Sequence, residues 1–286
     1  MGSDGRKAVV RDGKFWRKSD GRWISKFYCR HCRKHFSNAT FAPEYRQNKR
    51  HKNKYVLKGL VERGSLRGIA RRENLSRTTV ARKLRFLGAR SAVELEELNR
   101  RLPPVAKLQF DDQETAEHSK YKPVAISLAV VAGSRWILGF EISRMPVKWK
   151  LSPAKKLKYG NRPDDRGKGR KRLFSRICKY CRPDVEISSD EQPHYPRDIR
   201  TFFPAGVHVQ HPSRRPIANG QDELKKGWDP LFSLNHTCAM NRDRMARLTR
   251  KSWCVSKKRE SLSDHLAVWA VHHNKSLPIF RDLSSA

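Results

Sequence analysis

The sequence predicts an α/β protein built from a mixed sheet with flanking helices, preceded by a small aromatic-rich segment and an all-α helical pair. Three observations predict this. Residues 1–45 gather aromatic, glycine and basic residues around Cys29-Arg30-His31-Cys32. Residues 46–102 carry apolar side chains at helical spacing, and from about 105 onward apolar runs read as strands alternating with helix-like segments. Pro103-Pro104 is the expected boundary between helices and sheet, because two prolines stop the Glu/Leu-rich helix before them. The expected parts are therefore 1–45, 46–102 and 103–286.

In the first part, Phe27-Tyr28-Cys29-Arg30-His31-Cys32-Arg33-Lys34-His35-Phe36 resembles the aromatic-flanked knuckle of a zinc ribbon. Tetrahedral zinc takes four nitrogen or sulfur ligands, and two cysteines separated by two residues fit one turn of such a site. No second pair precedes them. Two readings stand side by side: a site of Cys29 and Cys32 completed by His35 or His31, or a ribbon without metal that folds on its aromatic residues. A second CxxC pair, Cys178 and Cys181, falls in a basic helical stretch and reads as chance or core packing.

Residues 54–63 predict a helix stopped by Gly64. A short helix follows, with Leu66, Ile69 and Ala70 on one face, then a turn at Leu75-Ser76. Ser76 is placed to cap a helix over 77–87, with Val80, Leu84 and Leu87 inward. The residues expected to face outward are Arg77, Thr78, Thr79, Arg82 and Lys83. Short polar and basic side chains on that face are what a helix needs to meet base edges and phosphates in a major groove. This is the pattern of a DNA-binding helix-turn-helix.

The sheet is expected at 107–112, 123–132, 136–143, 184–190 and 206–211. Two of these strands end in carboxylates: Asp111-Asp112 on the first and Asp190 on the fourth. Carboxylates side by side at strand ends make each other's ionisation costly, and a hard divalent cation relieves that cost. Such a pair suits two-metal phosphoryl transfer.

The balance of charge agrees. The 286 residues hold 63 Lys and Arg against 28 Asp and Glu, net +35, so a polyanion is the natural partner. No apolar run approaches the ~20 residues of a membrane span. The start of the chain has no apolar signal core, and the six cysteines do not read as a disulfide framework. The expectation is a cytoplasmic, nucleoid-associated protein with no membrane partner. Residues 147–182 carry 14 Lys and Arg against Asp164 and Asp165. A basic insertion of this kind is usually a solvated loop, but beside a phosphoryl-transfer site it can hold DNA, with Trp149, Tyr159 and Tyr180 available for stacking. Residues 208–215 and 242–259 add positive surface. His194 and His236 lie near the proposed ligands, where histidines more often bind backbone or phosphate than catalyse.

The blocks Phe110-Asp111-Asp112-Gln113-Glu114-Thr115, Ser189-Asp190-Glu191-Gln192-Pro193-His194-Tyr195-Pro196 and Arg247-Leu248-Thr249-Arg250-Lys251-Ser252-Trp253 resemble the core motifs of bacterial insertion-sequence DDE transposases. The resemblance is to the group with a zinc-ribbon and helix-turn-helix front end, and it runs in order through nearly the whole chain. It implies an RNase H-like core and two Mg²⁺ ions, with Mn²⁺ as substitute. It also implies cleavage and strand transfer at element ends by a homo-oligomer on double-stranded DNA. Asp111 and Asp190 match the first two acidic positions, and Arg250 and Lys251 fall in the third block as DNA contacts. The third acidic position falls on Asn235, with Glu223 as its rival; an amide oxygen ligates Mg²⁺ but brings no charge. The alternative function is a catalytically decayed or domesticated copy acting as a sequence-specific DNA-binding regulator.

Overall fold

The computed structural model describes residues 7–18, 21–147, 153–212, 229–249 and 253–285. The chain divides into two compact units, Met1–Val56 and Leu57–Ala286. In the first, β1 (Val9–Arg17), β2 (Arg22–Cys29) and β3 (His35–Ser37) form an antiparallel sheet in sequence order. Cross-strand aromatics hold it: Trp16 meets Trp23 edge-on at 5.7 Å, and Phe27 stacks on Phe36 at 5.6 Å. Gly13, at φ 75°, sits at the bulge between Arg11 and Lys14.

The division falls within α1 (Asn53–Val61), and α2 (Leu66–Arg72) and α3 (Arg77–Arg100) follow in the second unit. Both starts are capped as serine chemistry dictates. Ser65 Oγ accepts the Gly68 amide and Ser76 Oγ the Thr79 amide, each at 3.1 Å. Val80 and Leu84 are buried, as are Ile69 and Ala70. Arg77, Thr78 and Arg82 face out and Thr79 is half-buried. Lys83 departs from the expectation that it faces outward: it is 4% exposed and its ammonium pKa is pushed down by burial. The helical period carries position 83 round beside Leu84, onto the buried side.

Five strands follow: β4 (Val105–Ala116), β5 (Pro123–Val131), β6 (Ile137–Arg144), β7 (Cys181–Asp190) and β8 (Val207–His211). They form one mixed sheet in the order β6-β5-β4-β7-β8. β5 runs antiparallel to both neighbours, while β4, β7 and β8 are parallel. Near-continuous apolar burial along β5 reflects cover on both faces. The helices are α4 (Pro153–Tyr159), α5 (Arg166–Ile177), α6 (Tyr195–Phe202), α7 (Phe232–Arg244), α8 (Arg259–Ser276) and α9 (Pro278–Ser285). One core packs Leu108, Phe110, Leu138, Val185 and Ile187 against Leu173 and Phe174 of α5 and Tyr195 and Ile199 of α6.

Pro103-Pro104 follows the end of α3, but the compact units do not divide there. The second half of α3 is bound to the sheet: Asn99 donates to Leu138 O at 2.8 Å and accepts from Trp136 Nε1 at 2.8 Å. At Gly88 a Cβ would lie 2.5 Å from the Asp264 Cβ, so only glycine lets α3 approach α8 this closely. All six cysteines are free thiols. No described helix is long and apolar enough to cross a membrane.

Candidate active site

β4 and β7 pair in parallel with Phe110 opposite Ser189, so Asp111 and Asp190 are the next residues on adjacent central strands. Strand alternation turns Phe110 and Ile187 into the core and Asp111 and Asp190 to the opposite face. The two carboxylates feel each other. Burial raises the Asp111 pKa to about 6, and the charge of Asp190 adds to the rise. Burial also raises Asp190. Two donors oppose this at Asp111: its Oδ1 accepts the Asp112 amide at 2.6 Å and the Tyr195 hydroxyl at 3.3 Å. Both aspartates line a cleft of about 620 Å³, with Glu114, Asp164, Arg166 and His194 among the other lining residues.

Asp112, one residue on, lies on the other face and is nearly buried. Burial raises its pKa, against the opposing pull of Ser127 and Arg170. Arg170, itself 5% exposed, spans two buried acids: Nη1 reaches Asp112 at 3.2 Å and Nε reaches Asp198 at 2.7 Å. Its guanidinium also sits 5.2 Å from the Tyr195 ring centroid. Gly169 brings α5 down onto β6; a Cβ there would collide with Ser143 Oγ at 1.8 Å. The sequence alone predicts Arg170 in a basic loop. Its role is hidden there because its acidic partners lie on other elements.

α7 covers the face that carries Asp111. Gln109 and Gln113, two residues either side of Asp111, share its face. Gln109 accepts the Leu234 amide at 2.8 Å and donates to Pro230 O at 2.7 Å. Gln113 donates to Cys238 O at 3.1 Å and accepts from Asn241 Nδ2 at 3.2 Å. Trp269 Nε1 completes the chain by donating to Asn241 Oδ1 at 2.7 Å. Cys238 lies near enough to Asp111 that this charge adds to the effect of burial in raising the thiol pKa to about 12.

Asn235 stands one turn before Cys238 on the same helical stripe. It is exposed, and its Nδ2 donates to Asp229 Oδ2 at 2.9 Å. Leu231 holds the helix N-cap position, and Asp229 Oδ1 accepts the Leu231 amide at 3.1 Å. No group of three or more His, Cys, Asp or Glu gathers around an ion-sized space among the described residues. Glu223, Arg250, Lys251 and Trp149 lie outside the described residues. Of the two histidines, His194 lines the cleft, whereas His236 packs against Phe232 and faces Arg135 at 3.4 Å.

In the first unit, Cys29 and Cys32 do converge. The Cys32 amide and thiol hydrogen-bond the Cys29 sulfur and lower its pKa. His35 is elsewhere: it pairs across the strands with Tyr28, whose side chain points away from that of Cys29, and its Nδ1 meets Asp12 at 2.8 Å.

No protein-family model matches this chain, and no curated protein matches it.

Proposed function

We propose that this chain is a DDE-type transposase that binds the ends of an insertion element and carries out Mg²⁺-dependent DNA cleavage and strand transfer. The observation that carries the reading is the adjacent pair Asp111 and Asp190 on the central parallel strands. The mixed sheet order, with the antiparallel strands on one side and helices between β6, β7 and β8, supports an RNase H-like core. The capped pair α2 and α3, with Arg77, Thr78 and Arg82 outward, supports end recognition by a helix-turn-helix. A net charge of +35 fits a protein that works as a homo-oligomer on DNA in the nucleoid.

The donor set suits a hard divalent cation, since two half-buried to buried carboxylates with raised pKa values lose their mutual repulsion when they share one. Bound there, Mg²⁺ would supply charge stabilisation to the attacking and leaving oxygens of a phosphodiester. Asp111 and Asp190 would hold it, with Asn235 or Glu223 as third ligand. Tyr195 orients Asp111 through its hydroxyl, and Arg170 engages the neighbouring Asp112 on the other face. Gln109 and Gln113 hold α7 in place over the pair. For zinc, Cys29 and Cys32 bring two thiols together and His35 is engaged by Asp12, which leaves His31 as the nearby histidine for a third ligand.

A second reading, a DNA-binding regulator that has lost catalysis, is favoured by the Asn235 amide being turned to Asp229. Nicking of DNA carrying the element's ends, assayed with Mg²⁺ and with chelator, separates the two. Nicking that needs Mg²⁺ and is abolished in both Asp111→Asn and Asp190→Asn supports the transposase. Tight end binding without nicking supports the regulator.

A further inference from the structure

A second cleft, of about 730 Å³, lies within the second unit on the side of α3 that carries its first turns. One wall is the start of α2 and α3, bearing Arg67, Arg77, Arg82 and Arg85. The other wall is residues 253–258, bearing Trp253, Lys257 and Lys258. Among the described residues, Arg67, Arg77, Arg82, Lys257 and Lys258 enter no ion pair, and Asp264 is the single acid lining the cleft.

Residues 253–258 are held as a built surface. Ser256 is 2% exposed and anchors the segment. Its hydroxyl accepts from Arg247 Nη1 at 2.6 Å and donates to Lys258 O at 3.0 Å, and its carbonyl accepts the His118 amide at 2.7 Å. Around this pinned residue Lys257, Lys258 and Trp253 project outward, and Trp253 is 97% exposed. An indole left almost wholly in water on an anchored segment does not pack into the core of the described residues.

We propose that residues 253–258 form the second jaw of the DNA-binding cleft. Lys257 and Lys258 contact the phosphate backbone that borders the major groove read by α3, and Trp253 lies against the same backbone with its N–H as a donor. The inference rests on the helix-turn-helix reading above and extends it to the segment that follows α7. The partner is double-stranded DNA because of scale. A recognition helix enters the roughly 12 Å major groove by its N-terminal residues, so the flanking strand passes beside that end of the helix, where this jaw stands. The element ends would thus be gripped by two parts of the chain far apart in sequence, one of which lies downstream in sequence of the helix over the carboxylate pair.

The test uses the full-length protein and a labelled short duplex of arbitrary sequence, because phosphate contacts are indifferent to sequence. Affinity is measured by anisotropy across roughly 50–200 mM salt. Replacing both Lys257 and Lys258 with Ala is expected to shallow the log–log salt slope by about 1.8, two phosphates at about 0.9 each. Trp253→Phe is expected to abolish most of the DNA-dependent change in tryptophan emission. Both changes are at exposed side chains, so unfolding does not confuse the result; thermal unfolding of each variant verifies this. An unchanged slope in the double variant overturns the proposal. So does a single strand that binds more tightly than the duplex and depends equally on these residues. Strong duplex binding without Mg²⁺-dependent nicking would remove the catalytic reading and leave the jaw standing. Absence of any salt-dependent duplex binding would remove both.

Discussion

Gln109 accepts the Leu234 amide at 2.8 Å, so the strand that carries Asp111 and the helix that carries Asn235 are joined by a buried hydrogen bond one residue from Asn235. The partner bond from Gln113 to Cys238 O lies on the other side of Asp111. α7 is thereby registered against β4 at two points that bracket the carboxylate.

The first prediction concerns these amides. Gln109→Leu removes an acceptor and a donor and leaves the Leu234 amide and Pro230 carbonyl unsatisfied, at about 1–3 kcal/mol for each buried group. Stability measured by denaturant unfolding is expected to fall. Mg²⁺-dependent nicking is expected to fall further than stability accounts for, while end binding stays near normal. Nicking that merely tracks the folded fraction would mean that α7 placement does not matter to the reaction.

Asp111 carries a pH signature. Its folded pKa is about 6, against an ordinary value near 3.8. Between those values the folded protein holds the proton more tightly than the unfolded chain, so this group's contribution to stability falls as pH rises through about 4–6. Above about pH 7 the full cost is present, on the order of 2–3 kcal/mol. Asp111→Asn is therefore expected to raise the melting temperature of chelator-treated protein at neutral pH while abolishing nicking. Adding Mg²⁺ should stabilise the wild type and not the variant. A variant that is less stable than wild type at neutral pH in chelator contradicts the burial argument.

The third ligand is decided by a pair of changes. If Asn235 ligates, Asn235→Ala nearly eliminates nicking and Glu223→Gln is tolerated, whereas Asn235→Asp retains activity by restoring a charged oxygen. If Glu223 ligates, the pattern reverses. In that case Asn235→Ala removes only its bond to Asp229, at about 0.5–1.5 kcal/mol or less for an exposed pair. Nicking by each variant at matched folding reads the answer; two silent changes would exclude both residues.

Along the first turns of α3, outward residues separate from packed ones. Replacing Arg77 and Arg82 with Ala is expected to erode the preference for end DNA over random DNA, since each side-chain pairing with a base edge is worth ~1–3 kcal/mol of discrimination. Lys83→Met is expected to leave that preference intact, because the side chain is buried, and to alter only stability. Competition binding with end and random duplexes measures both. A weaker preference in Lys83→Met would place that ammonium at the DNA.

Much of this protein is legible from local rules. The cap at Ser76, the end of α3 before Pro103-Pro104, and the five strands lie within a few residues of their sequence-based positions, because capping, proline and apolar runs act over a few residues of chain. Asp111 and Asp190 are visible as strand carboxylates for the same reason, although β4 runs on to Ala116, so Asp111 lies inside its strand and not at the expected end. Their adjacency is not, since it depends on β4 and β7 pairing in parallel, across the intervening β5, β6, α4 and α5, at a register set by the core. Tertiary structure also decided the fate of individual charges. Lys83, expected in solvent, is buried, and Arg170, expected in a basic loop, lies between Asp112 and Asp198. His35, one of the two histidines offered as partner to the cysteines, pairs with Asp12. The join between α3 and the sheet through Asn99, Trp136 and Leu138 likewise has no local signal. Sequence by itself determined the capped helices, the strands of the five-stranded sheet and where carboxylates and cations cluster along the chain. Which charges meet was left to packing, because a buried side chain finds its partner on whichever element the core brings against it.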